Sequence, residues 1–310
     1  MDGEALSPPT DLRPPIVNQL ISVNSIENSP AIEIRIRPNT GWFHIDWEGL
    51  KNYRDLLWLL IQRDFTSKYK QTILGPLWFF MNPLITTLVF VLVFNKVIGV
   101  QTDGVPPTLF YMAGMIGWTY FSSVLGSTAN SLAGNTHLFA KVYFPRLIPP
   151  LAVTISCLFA LGIQLITFTG FYVQHLVTAE KIQVASPSLV WLLFPLIVVH
   201  MAMLALGVGL ILSALSAKYR DIQQVQGFFV NLWMYATPII YPLSKIPERW
   251  HWLAEINPLT SIVEATRLLF LGVGTVTTAG YATSVAISVV VFAIGLFSYQ
   301  RSARSFVDTV

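Results

Sequence analysis

The chain has 310 residues, of which 54% are hydrophobic and only 11% charged, with a net charge of +3 and a mean hydropathy of +0.59. Soluble domains carry about 25% charged residues, so this composition excludes an ordinary soluble globular protein. The single cysteine, Cys157, excludes an intramolecular disulfide framework. The net charge says little about partners, because its placement reflects topology, and no nucleic-acid partner is expected.

Charge is absent from six stretches, 71–95, 104–140, 147–179, 182–217, 222–244 and 268–300. Each is longer than the roughly 20 residues a helix needs to cross about 30 Å of hydrocarbon. They are continuously apolar, whereas barrel strands alternate, and only helices and closed barrels satisfy every backbone polar group in lipid. The expectation is an all-α integral membrane protein with six transmembrane helices in one bundle. With the N-terminus inside, 14 Lys and Arg residues fall on the cytoplasmic side and 5 outside. The positive-inside rule then predicts both termini in the cytoplasm.

In chain order, residues 1–46 form a cytoplasmic extension without the apolar core of a signal peptide. Residues 1–30 are rich in Pro, Ser and Asn, which predicts disorder, and AIEIRIR at 31–37 fits a short strand or an extended linker equally. Over 47–72, Leu50, Tyr53, Leu57, Leu60 and Ile61 recur at helical spacing opposite Lys51, Arg54, Asp55, Gln62 and Arg63. Too short an apolar core to span, this predicts an amphipathic helix in the cytoplasmic interface. The membrane domain follows over 73–303, with spans near 73–95, 109–132, 151–173, 189–215, 225–240 and 282–299, and a tail at 304–310.

The segment 241–280 between spans five and six is unusual. Pro247 can open one short helix, and Asn257-Pro258 supplies an N-cap and a first-turn proline for a second helix over 258–271. At 1.5 Å per residue the second reaches roughly 20 Å, too short to cross. Glu264 and Arg267 stand three apart and can pair on one face. These features predict two short re-entrant helices dipping back into the outer leaflet.

No phosphate-loop motif and no Cys/His cluster is present, and His200 in span four reads as a hydrogen-bonded structural residue. None of the six spans contains Asp, Glu, Lys or Arg, which disfavours a proton- or sodium-coupled carrier. Energy for uphill movement is then expected from another subunit. The loop 134–150 mixes Leu138, Phe139, Tyr143 and Phe144 with basic Lys141 and Arg146. It fits a docking loop for a soluble partner and an ordinary juxtamembrane loop alike. Trp118, Tyr120, Phe228, Trp233 and Tyr235 suit a glycan path, because sugar rings stack on aromatic faces, and equally an interfacial belt. A membrane glycosyltransferase would need acids or a metal near an interface, whereas Arg63-Asp64 and Arg220-Asp221 read as charge-paired loop residues.

Arg54-Asp55-Leu56-Leu57 through Arg63-Asp64, Lys68-Tyr69-Lys70-Gln71-Thr72 and Leu74-Gly75-Pro76-Leu77-Trp78 resemble the start of type-2 ABC transporter permeases. Asn135, Lys141, Phe144-Pro145 and Pro149 are similar to the first cytoplasmic loop of the polysaccharide exporters in that family. Tyr219-Arg220-Asp221, Trp233, Thr237-Pro238-Ile239, Tyr241-Pro242, Pro247 and Asn257-Pro258 are similar to its second half, so that the resemblance covers about 48–303. It implies a non-enzymatic permease homodimer in the bacterial inner membrane, working with two ATP-binding cassette subunits that carry the ATP and Mg, with no cofactor in this chain. It implies a lipid-linked polysaccharide substrate, with a small drug or lipid as the alternative. It also implies a coupling helix around 137–146, with His137, Leu138, Phe139, Lys141, Tyr143, Phe144 and Arg146. Finally it implies an external gate over 247–271, with Pro247, Trp250, Trp252, Asn257, Pro258, Glu264 and Arg267.

Overall fold

A computed structural model of the chain describes residues 47–70, 75–139, 144–178, 189–219 and 221–307, and all regular structure among them is helical. The extension 1–46, with the possible strand at 31–37, lies outside the described residues.

Two helices, α1 (Trp47–Asn52) and α2 (Arg54–Tyr69), replace the single helix expected over 47–72, with the break at Tyr53. Leu60 and Ile61 of α2 are buried with Phe144, Ile148 and Ala152, and Leu50, Tyr53 and Leu57 pack against them. The apolar stripe read from the sequence therefore rests on protein. The other side of α2 exposes Trp58, Leu59 and Phe65 among charged neighbours.

Helix α3 (Trp78–Phe90) carries Pro83 internally and runs on as a π-helical stretch, Val91–Val97. Helix α4 (Pro107–Ala129) follows, then the short α5 (Ser131–Gly134) and α6 (Thr136–Phe139). Next come α7 (Ile148–Thr178), α8 (Phe194–Lys218) and α9 (Ile222–Ala236), and last α10 (Glu248–Ile256), α11 (Pro258–Leu271) and α12 (Thr278–Val307). Four segments combine the length and apolarity to cross a membrane: Trp78–Val97, Ile148–Thr178, Val190–Lys218 and Thr278–Ala303.

The two other segments expected to cross differ for separate reasons. Helix α4 is long enough but is diluted by Gly114, Gly117, Gly126, Ser122, Ser123 and Ser127. Sixteen of its 23 residues are buried, so it is the inner helix of the bundle and lipid exerts little demand on its composition. Helix α9 has 15 residues, about 22 Å, and ends where Thr237-Pro238 interrupts it. Only Gln226 of α9 is buried.

Small residues set the helix crossings. A Cβ on Gly207 of α8 would come within 2.7 Å of the Phe292 backbone nitrogen on α12, and one on Gly295 would collide with the Gly207 carbonyl. A Cβ on Gly209 would meet Thr128 of α4 at 2.7 Å. Helix α8 thus meets α12 backbone to backbone and presses its backbone on the Thr128 side chain of α4, the close approach expected where lipid supplies no hydrophobic drive between helices. Helix α12 continues to Val307, into the region read as a tail.

Candidate functional site

The α10–α11 segment begins on Pro247, whose extended backbone caps α10. Trp250 and Trp252 are 48% and 56% exposed, and the Arg249 guanidinium stands 5.9 Å from the Trp250 ring centre. Asn257 turns the chain into α11. Its Oδ1 accepts from the Leu259 backbone N–H at 3.1 Å and from the Trp233 indole at 3.0 Å, while its Nδ2 donates to Thr237 Oγ1 at 2.9 Å. Pro258 fills the first turn, and Gly272 ends the helix in a left-handed conformation with φ of 73°, its N–H bonded to Leu268 O. The boundaries of α11 are those read from the sequence.

Glu264 and Arg267 pair as expected, but inside the protein. Arg267 Nη1 lies 2.9 Å from Glu264 Oε1, with the two side chains 1% and 4% exposed. Arg267 also donates to the carbonyls of Pro238 at 2.6 Å and Ile239 at 2.7 Å, and its guanidinium covers the Phe110 ring at 3.7 Å. The second carboxylate oxygen of Glu264 accepts from the Thr275 N–H at 3.0 Å. The seven residues read for this segment therefore separate. Pro247, Trp250 and Trp252 face outward, whereas Asn257, Pro258, Glu264 and Arg267 bind the segment to the bundle. The sequence reading missed the acceptors on 237–239. Pro238 was the available signal, because a proline that turns the chain out of a helix leaves its own carbonyl and the next without helical donors. It also missed Asp103, whose carboxylate accepts from Ser244 Oγ at 3.1 Å and joins the α3–α4 loop to this segment.

His200 is hydrogen-bonded as expected. Its Nε2 is 3.0 Å from Ser288 Oγ and 3.4 Å from Ser284 Oγ on α12, and Ser284 in turn donates to the Pro258 carbonyl at 2.8 Å.

At the opposite end of the bundle, α5 and α6 lead into the loop read as a docking element. Leu138 and Phe139 on α6 pack against the α2–α7 cluster, and Phe144, 3% exposed, stacks on Phe139 with ring centres 5.2 Å apart. The Arg146 carbonyl accepts from the Tyr299 hydroxyl at 3.0 Å, tying the loop to α12. His137 lies on α6, and Lys141 and Tyr143 fall outside the described residues. Of the loop's apolar residues, Leu138, Phe139 and Phe144 are thus turned into the protein. Phe144 fixes the position of the loop and offers no surface of its own.

Between α2, the end of α4 and the start of α7 lies a polar cavity of about 400 Å³, lined by Arg63, Asp64, Ser67, Ser127, Asn130 and Asn135 among others. Arg63 pairs with Asp64 at 2.9 Å, as read from the sequence, but on helix α2 and not in a loop. Asp221 precedes α9, and Arg220 lies outside the described residues.

The five aromatic residues read as a glycan path or belt do not form one wall. Trp118 and Tyr120 are buried in α4, where the Tyr120 hydroxyl donates to the Thr154 carbonyl at 3.3 Å. Trp233 is half-buried edge-on to Phe121, and Phe228 and Tyr235 are 66% and 55% exposed on α9. Among the described residues no three His, Cys, Asp or Glu side chains come together to hold a metal.

The sequence profile of ABC-2 type transporters matches residues 55–271, from α2 through the end of α11. This chain belongs to the ABC-2 type transporter family. It is a multi-pass membrane transport protein. It is 30% identical over 225 residues to the O-antigen export system permease protein RfbA of Myxococcus xanthus, covering 71% of this chain and 82% of that one. It is 24% identical over 275 residues to the inner membrane transport permease YadH of Escherichia coli, covering 84% and 99% respectively. Similarity to the polysialic acid transport protein KpsM of Escherichia coli is 21% over 212 residues, covering 67% and 78%.

Proposed function

We propose that this chain is the permease subunit of an ABC exporter that moves a lipid-linked polysaccharide across the bacterial inner membrane. The observation that carries the reading is 30% identity to an O-antigen export permease along 82% of that protein's length. The similarity to a polysialic acid transport protein extends the same substrate class.

In this reading the permease works as a homodimer with two ATP-binding cassette subunits, which bind ATP and Mg and perform the hydrolysis. The chain crosses six times with both termini cytoplasmic. Helices α4 and α9 supply the two crossings beyond the four apolar ones, and the buried segment 237–240 completes the short α9. The α1–α2 pair lies at the cytoplasmic interface, and residues 1–46 precede it as a cytoplasmic extension. Residues 137–146 couple to the ATPase, positioned by Phe144 against α2. The α10–α11 segment is re-entrant from the outer side and gates the exit, with the exposed Trp250 and Trp252 on its free face. The exposed Phe228 and Tyr235 of α9 are the aromatic residues placed to meet a passing glycan, whereas Trp118 and Tyr120 are core.

Inverted membrane vesicles holding this chain and its ATP-binding subunit test the proposal. Uptake of a polyprenyl-linked glycan that requires ATP and this chain supports it. ATP-dependent uptake of a small lipid or drug, with none of the glycan, contradicts it.

A further inference from the structure

Helix α9 is attached to the bundle unevenly. Along its length only Gln226 is buried, and Phe228, Phe229, Leu232 and Tyr235 are exposed. At its end the pattern reverses: Thr237, Pro238, Ile239 and Ile240 are all buried although no helix continues through them. Non-helical backbone is tolerated at membrane depth only where protein covers it and satisfies its polar groups. Here α11 does this. Arg267 donates to the carbonyls of Pro238 and Ile239 at 2.6 and 2.7 Å, and Asn257 donates to Thr237 Oγ1 at 2.9 Å and accepts from Trp233 at 3.0 Å. The two residues sit at opposite ends of α11 and both reach the last turn of α9 or the segment beyond it.

We infer that Asn257 and Arg267 are positioning residues that fasten α11 to the end of α9, so that α9 and the α10–α11 segment move as one unit during transport. A helix held loosely along its length and firmly at one end passes a displacement of its free end to whatever is fastened at the other. Glu264 completes the clamp: one oxygen orients the Arg267 guanidinium at 2.9 Å and the other holds the Thr275 N–H at 3.0 Å, which fixes the turn after α11. The assignment rests on the gate reading proposed above, and it gives Arg267 a role different from lining the exit, since its side chain is 1% exposed.

The test uses the complete transporter, this chain with its ATP-binding subunit, reconstituted in planar bilayers and proteoliposomes. The potassium conductance of the resting complex without ATP reports closure, and glycan moved per ATP hydrolysed reports coupling. Arg267→Met and Asn257→Ala are each expected to raise resting conductance by about tenfold and to lower glycan moved per ATP, the size of a typical coupling between sites. Trp233→Phe, which keeps the ring and removes the N–H, is expected to raise the conductance by a smaller factor. If Arg267→Met does not fold, Asn257→Ala and Trp233→Phe decide. Variants that melt at a lower temperature yet keep the wild-type conductance and coupling, measured well below that temperature, overturn the inference, because a purely structural clamp gives that result. Trp250→Ala/Trp252→Ala, on the free face of α10, separates the two levels. A leak in that variant alone overturns the clamp and leaves the gate standing. No leak in any variant overturns both.

Discussion

The guanidinium of Arg267 lies 3.7 Å from the centre of the Phe110 ring, and both side chains are 1% exposed. A cation in such a place is stable only when most of its donors are occupied, and here Glu264, Pro238 and Ile239 hold its two terminal nitrogens while Nε has no partner among the described residues. Removing one partner of a buried pair costs about 3–5 kcal/mol because the other is left uncompensated. Arg267→Met should therefore destabilise strongly, since it leaves the Glu264 carboxylate and two carbonyls without their donor. Glu264→Gln should cost somewhat less, about 3 kcal/mol, because an amide oxygen still accepts from Arg267, although the arginine charge is left uncompensated and the amide NH2 is turned toward the Thr275 N–H. Titration with sodium dodecyl sulfate checks the order, and equal effects of the two variants would contradict it.

Gly207→Ala should prevent α8 from seating on α12, because the new Cβ would lie 2.7 Å from backbone that cannot move away as a side chain can. Gly162→Ala on α7 is the control, with nothing within 4 Å of its Cβ position. Recovery of monodisperse protein from detergent should fall sharply for the first variant and hold for the second.

Phe144→Ala should cost about 3–5 kcal/mol, the usual range for emptying a buried aromatic site. The cavity would open between α2 and α7, beside Leu60, Ile61 and Ile148. Because Phe144 stacks on Phe139, the same change frees α6, so ATP hydrolysis should continue with less glycan moved per ATP. Phe144→Leu should recover most of the stability and much of the coupling. Normal coupling in Phe144→Ala would remove the loop from the coupling path.

Topology is open to direct measurement because the one cysteine, Cys157, is buried and can be replaced to give a cysteine-free background. Ala133→Cys and Ser244→Cys place single exposed thiols at opposite ends of the bundle. A membrane-impermeant maleimide added to intact spheroplasts should label position 244 and leave 133 unlabelled until the membrane is opened. The reverse pattern would invert the proposed orientation.

Much of the fold was legible because lipid constrains composition directly. Trp78–Val97, Ile148–Thr178, Val190–Lys218 and Thr278–Ala303 announce themselves as long apolar helices. The ends of α11 were legible too, since Asn257-Pro258 and Gly272 are local signals that act without tertiary help. What the sequence could not show was direction. Leu60, Ile61 and Phe144 have the composition of a surface that meets lipid or a partner, yet they bury one another. Nor does the three-residue spacing of Glu264 and Arg267 tell an exposed pair from a buried one. Only the nearby Pro238, where the chain leaves the helix and two carbonyls are left without helical donors, gives the reason for a buried arginine there. The five aromatics scattered for the same reason, as Trp118 and Tyr120 fall on the inner helix and Phe228, Trp233 and Tyr235 on the mostly unburied α9.

The most direct measurement of the central claim follows the polymer itself in cells from which this chain has been deleted. Lipid-linked polysaccharide is expected to be made at a normal rate and to accumulate on the cytoplasmic face, with surface polymer lost and then restored by the intact gene. Undiminished polymer at the surface of the deletion strain would contradict the assignment, as would loss of surface polymer without any accumulation inside.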